Sequence, residues 1–90
     1  MPLFALICTD KPGHEPLRKA TREAHLAYLN ATGSTLLAGP FLDTGTMTGS
    51  LVVIDAADRA AAESWAAQDP YALAGLFANV RIEEWKKVIG

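Results

Sequence analysis

Residues 51–54 read Leu-Val-Val-Ile, and residues 3–8 read Leu-Phe-Ala-Leu-Ile-Cys, two runs with no polar alternation. A strand wetted on one face alternates apolar with polar, so runs like these require apolar cover on both faces. The chain has ninety residues and material for only two long helices. Two helices cover one face of a small sheet. A chain this short buries only about 60–65% of its unfolded surface, yet half of its residues are hydrophobic and its mean hydropathy is +0.13. The expectation is one domain whose second sheet face is covered by a symmetric partner, a homodimer.

The remaining elements follow in order. Asp10-Lys11-Pro12-Gly13 closes the first strand with a turn signal. Pro16 suits the first turn of a helix running from Leu17 to about Ala31, which Gly33 ends. Leu17, Ala20, Thr21, Ala24, Tyr28 and Ala31 share a stripe at helical spacing, predicting the buried face; Leu26 falls opposite it. Residues 36–42 predict a second strand, with Pro40 arguing for an edge or bulge. A Thr/Gly-rich loop over 43–49 precedes a third strand from Ser50 to Ile54. Asp55 is the expected N-cap of an alanine-rich helix ending near Trp65, with Asp58 in its first turn. Asp69-Pro70 opens a short helical turn through Leu76, and Val80–Trp85 alternates as a fourth strand. The order β-α-β-β-α-β predicts an α+β, ferredoxin-like fold.

Composition excludes several function classes. The net charge is −2, with both signs scattered, so no basic track for nucleic acid or a membrane surface exists. The third strand also lacks the aromatics on which RNA-recognition domains of this strand order stack bases. The lone Cys8 forms no internal disulfide, and the N-terminal apolar run is too short to span a bilayer, so a cytoplasmic location is expected. Met1-Pro2 invites comparison with tautomerases that use an N-terminal proline, but here the proline nitrogen is an amide.

Few residues can carry chemistry. His14 lies in the Pro-Gly turn, where a solvated loop residue is the ordinary reading. His25 lies about 80° round the helix from Leu17, at the margin of the apolar stripe, where it is more often a packing residue than a catalyst. Arg18 and Arg22 flank it and offer an anion-binding edge, although surface charges are the ordinary reading. Asp69 reads as the cap of the turn at Pro70, and Cys8 as a small buried hydrophobe. The spacing of Cys8, His14 and His25 matches no metal site, and neither a phosphate loop nor a Gly-x-Ser-x-Gly elbow is present.

Several segments together resemble the YciI-like (YCII-related) family. They are Arg22-Glu23-Ala24-His25-Leu26-Ala27-Tyr28-Leu29, Ala38-Gly39-Pro40, Thr48-Gly49-Ser50, Ser64-Trp65-Ala66-Ala67-Gln68-Asp69-Pro70-Tyr71-Ala72-Leu73-Ala74-Gly75-Leu76, and the ending Trp85-Lys86-Lys87-Val88. The Asp-Pro-Tyr stretch with its downstream glycine is the most specific. The resemblance implies a dimeric α+β barrel and an active-site histidine–aspartate pair, here His25 and Asp69. The family's few assigned activities are proton-transfer reactions on small, often ring-shaped compounds, dehydrochlorination included. Barrel relatives include muconolactone isomerases and cofactor-free oxygenases. The implied mechanism is acid–base catalysis without a cofactor, lyase- or isomerase-like, with Asp69 orienting the imidazole. Tyr28, Ser50, Tyr71 and Arg22 are candidates to bind substrate. A non-catalytic ligand-binding or accessory module of the same fold is the alternative.

Overall fold

A computed structural model describes all residues, 1–90. Its elements are β1 (Leu3–Asp10), α1 (Glu15–Thr32), β2 (Thr35–Asp43), β3 (Thr46–Asp55), α2 (Arg59–Gln68), α3 (Pro70–Leu73) and β4 (Phe77–Trp85). The strands form one antiparallel sheet in the order β2-β3-β1-β4, the ferredoxin-like arrangement. The two central strands are the two with unbroken apolar runs. No helix is long and apolar enough to cross a membrane.

The strand period of two sorts the central strands cleanly. Phe4, Leu6 and Cys8 on β1 and Val52 and Ile54 on β3 turn toward the helices and form the core with Leu29, Ala56, Ala62 and Ile82. The alternate residues occupy the other face: Leu3, Ala5 and Ile7 lie beside Asp55, Val53 and Leu51. On β2, Leu37 pairs with Val53 and Phe41 with Gly49, and both β2 side chains remain more than 40% exposed. The second face is thus apolar with no helix over it, as the unalternating runs require.

Several boundaries differ from the expectation. Asp55 does not cap α2; it is the last residue of β3, and Asp58 takes the cap, its carboxylate accepting from the Ala61 amide at 2.8 Å. The Thr/Gly-rich stretch is mostly strand, leaving a tight turn at Thr44-Gly45 that brings β2 and β3 together, both residues at positive φ. The turn after Pro70 ends at Leu73, and β4 begins at Phe77, earlier than Val80. Gly33 ends α1 in the left-handed conformation as expected. Gly49 has a different constraint: a Cβ there would collide with the Cys8 carbonyl of the neighbouring strand.

The largest correction concerns α1. Its buried residues are Arg18, His25 and Leu29, seven and four residues apart. Ala20, Ala24 and Ala31 are exposed, and Leu17, Thr21 and Tyr28 only half-buried. The inward face is rotated toward Arg18 by roughly a quarter turn relative to the alanine stripe. Alanine contributes little apolar area, so hydropathy spacing has little hold on this helix; polar partners in the interior set its rotation.

Cys8, expected as a buried hydrophobe, is 3% exposed. Burial first, and the Asp69 carboxylate second, push its thiol from the ordinary 9.0 up to about 12. The folded chain therefore keeps a proton that the unfolded chain releases near pH 9. This contribution to stability is complete below pH 9 and is lost as the pH rises toward 12. Iodoacetamide at pH 8 should leave Cys8 untouched in the native protein and alkylate it in urea. Alkylation of folded protein at the rate of a free thiol would contradict this placement.

Candidate active site

Helix α1 delivers Arg18 and His25 to the interior, and the fold supplies a carboxylate for each. Asp10 continues the inward parity of Phe4, Leu6 and Cys8 on β1. Its Oδ2 accepts from Arg18 Nε at 2.7 Å and its Oδ1 from Arg18 Nη2 at 2.8 Å. The side chains are 3% and 4% exposed, a bidentate pair inside the protein. Arg18 Nη2 also donates to Ser50 Oγ at 2.8 Å. Burial disfavours the guanidinium charge, but the hydrogen bonds and charge of Asp10 outweigh it and push the Arg18 pKa up.

His25 meets its partner across 44 residues: Nδ1 lies 2.8 Å from Asp69 Oδ1. The same oxygen accepts the Tyr71 amide at 2.9 Å, the cap expected at Pro70. Capping and pairing thus share one carboxylate oxygen. With Asp69 ionised, Nδ1 carries the hydrogen and Nε2 is left with its lone pair. Tyr71 lies flat on the imidazole, its ring centroid 3.9 Å away at 16° between planes. The Arg18 guanidinium carbon sits 4.6 Å from the centre of the Tyr71 ring. The three side chains form a buried stack of imidazole, phenol and guanidinium. Burial, with a smaller contribution from Asp69, pushes the Tyr71 phenol above its ordinary 10.0 against the opposing charge of Arg18, so it stays protonated at neutral pH.

Beside this stack is a cavity of about 140 Å³. Its polar lining comes from Arg18, Arg22, His25, Ser50 and Tyr71. Its apolar walls include Leu26 and Leu29 from α1 and Pro40, Met47 and Val52 from the sheet. An apolar cavity of about 150 Å³ is enough to hold benzene, so a single small ring fits. Leu26, the misfit of the helical stripe, finds its place as part of this wall.

Of the residues singled out from the sequence, His25, Tyr71, Ser50 and Arg22 border one cavity, with Asp69 behind the imidazole. Tyr28 goes elsewhere: its hydroxyl donates to the Trp65 carbonyl at 2.8 Å, which braces α1 against α2, and it does not border the cavity. His25 is at the centre of the inward helix face rather than its margin, 6% exposed. Arg18 is no surface charge but an interior ion pair, and Asp10 is its anchor rather than a turn residue alone. The signal for both was spacing: Asp10 shares the parity of the inward β1 residues, and Arg18 precedes His25 by two helical turns.

Similar proteins agree with this fold. The profile of the YCII-related domain matches residues 2–86. An uncharacterized protein of Haemophilus influenzae is 38% identical over 94% of this chain and 97% of its own length. Protein YciI of Escherichia coli is 35% identical over 96% of this chain and 98% of its own. Among solved structures, 5-chloro-2-hydroxyhydroquinone dehydrochlorinase (TftG) of Burkholderia phenoliruptrix AC1100, in complex with 2,5-dihydroxybenzoquinone, superposes with a TM-score of 0.87. It is 35% identical, with 93% of each chain covered.

The buried Asp10–Arg18 pair yields a stability prediction. Arg18→Met leaves the Asp10 carboxylate buried without its counter-charge and should cost roughly 3–5 kcal/mol in urea unfolding. The double change Asp10→Leu with Arg18→Met should recover much of that loss. A single variant costing under about 1 kcal/mol would show that Asp10 reaches water without its partner.

The profile match over nearly the whole chain and the identities of 35–38% across full-length relatives place this protein in the YCII-related, YciI-like family.

Proposed function

We propose that this protein is a cofactor-independent acid–base enzyme acting on a small, oxygenated ring compound. The observation that carries the reading is the His25–Asp69 contact of 2.8 Å, which occupies Nδ1 and leaves Nε2 as the ring nitrogen for a molecule in the cavity. Asp69 holds the tautomer that makes Nε2 a base, and once Nε2 has taken a proton the carboxylate stabilises the imidazolium. Tyr71 keeps the ring in plane from one face. Leu26, Leu29, Met47 and Val52 exclude water and receive the apolar edges of the substrate, while Ser50, Tyr71 and Arg22 offer donors to its oxygens. The similarity to a dehydrochlorinase that binds a dihydroxyquinone supports this chemistry. In a dehydrochlorination the base takes a proton, the electron pair left behind becomes a new π bond, and chloride leaves with the pair of its C–Cl bond, so the net loss of HCl needs no redox partner.

The test is turnover of a panel of hydroxylated and chlorinated rings, 5-chloro-2-hydroxyhydroquinone among them, followed by chloride release and ring absorbance. His25→Ala should lower turnover by ~10²–10⁴-fold. Asp69→Asn retains an oxygen for the Tyr71 amide, so activity should fall while the melting temperature holds within a few degrees. Undiminished activity in His25→Ala would remove His25 as the base, and no turnover across the panel by the unaltered protein would favour the non-catalytic binding module instead.

The assembly is part of the same proposal. Leu3, Ala5, Ile7, Leu51, Val53, Leu37 and Phe41 form an apolar sheet face without a helix, and a second copy presenting the same face covers it by two-fold symmetry. Sedimentation equilibrium at micromolar concentration should return twice the 9.6 kDa chain mass. A folded monomer at that concentration would end the dimer proposal and leave the acid–base reading untouched.

A further inference from the structure

The Asp10–Arg18–Ser50 network lies outside the histidine–aspartate pair, yet it reaches the same cavity. Ser50 is 3% exposed, and both it and Arg18 border the cavity. Its Oγ accepts from Arg18 Nη2 at 2.8 Å, so the hydroxyl's own hydrogen must point elsewhere. No group of the chain accepts that hydrogen. A buried hydroxyl that receives a charged hydrogen bond and has nowhere to give its own proton is a strengthened donor awaiting an acceptor. Asp10 fixes the guanidinium through two further bonds, and β3 fixes Ser50 through its pairing with Cys8 on β1 and Pro40 on β2. Neither group can turn away from the cavity without breaking buried hydrogen bonds.

We propose that Ser50, polarised by Arg18, is an oxyanion-binding residue that receives the negative charge generated on a substrate oxygen when His25 removes a proton. The inference rests on the acid–base reading and narrows its substrate class to rings whose deprotonation places charge on oxygen: phenols, and carbonyl compounds with an adjacent C–H. For a carbon acid, the C–H bond breaks and its proton goes to His25 Nε2. The bonding pair forms a C=C bond, and the carbonyl π pair moves to the oxygen. That oxygen becomes the anion held by the Ser50 hydroxyl. Returning the proton to a different carbon completes an isomerisation; expelling a leaving group with its electron pair completes an elimination. Asp10 balances the Arg18 charge, so the network donates to an anion without presenting a bare cation that would trap it. Arg18 in this role is a positioning residue, acting through Ser50.

The probe is 4-nitrophenol, a single ring whose phenolate absorbs in the visible and which ionises near neutrality. Titrated with excess protein, the bound phenol should ionise at least about one pH unit lower than the free one, equivalent to a tenfold preference for the anion, the scale of one hydrogen bond to a charged group. Ser50→Ala should remove most of that shift, and Ser50→Thr, which keeps the hydroxyl, should restore it. Arg18→Lys should diminish the shift, because an ammonium cannot hold Asp10 and Ser50 in the same plane. Circular dichroism melts of each variant separate loss of the donor from loss of the fold, and Ser50→Ala carries the test if Arg18→Lys unfolds. Binding of the neutral phenol only, no binding at all, or an anion preference unchanged in Ser50→Ala would overturn the proposal. His25→Ala separates it from the acid–base reading. A preference that vanishes in His25→Ala but survives in Ser50→Ala assigns the anion to the imidazolium, overturning the role of Ser50 alone. A preference that persists in His25→Ala, alongside undiminished turnover, upholds the oxyanion site and overturns His25 as the base.

Discussion

Helix α1 packs on the sheet through two polar residues, and that packing holds only because each has its counterpart in place. Arg18 without Asp10, or His25 without Asp69, would put an unsatisfied donor into the interior, at a cost comparable to much of a small domain's stability. The apolar contribution of this helix is slight by comparison. Leu29 is its one buried hydrophobe, and the alanines that dominate its composition lie outside. The rotation of α1, and therefore the presence of His25 in the interior, follows from electrostatic matching rather than from hydrophobic area.

The two matches differ in kind. Asp10 grips Arg18 through both carboxylate oxygens, and that geometry fixes the plane of the guanidinium. Asp69 meets His25 through one oxygen, which it shares with a backbone amide. An imidazole can gain or lose a proton while that single bond persists, whereas the guanidinium cannot change its charge at all. Arg18, held by the first pair, and His25, held by the second, border the same cavity. The Tyr71 ring between them is in contact with both, so a displacement of either side chain reaches the other through one aromatic plane.

A shared oxygen also explains why Asp69 reads as a cap. The turn at Pro70 is short, four residues, and contributes little by itself. Its role is to carry Tyr71 from the backbone that Asp69 holds to the face of the imidazole that Asp69 binds. Local structure and site geometry are the same hydrogen-bonded unit here, and the local half alone is visible from the Asp-Pro-Tyr spacing.

The order of elements along the chain, the edge or bulge at Pro40, the helix stop at Gly33 and the apolar second face were legible in the sequence, because each depends on a local rule: hydropathy period, proline's missing donor, the left-handed freedom of glycine, and unalternating runs at 3–8 and 51–54. The family resemblance, and with it the pairing of His25 and Asp69, was legible from motifs in chain order. The rotation of α1 was not, since Arg18 and His25 are buried only in the presence of carboxylates brought by β1 and by the turn after α2, 8 and 44 residues away along the chain. For the same reason Asp55 looked like a cap until strand pairing with Leu3 claimed it, and Tyr28 looked like a substrate ligand until Trp65 took its hydroxyl. Local rules determined the elements and their order; which polar groups go inside was decided by tertiary structure alone, because a buried charge is tolerated only where a distant segment supplies its partner.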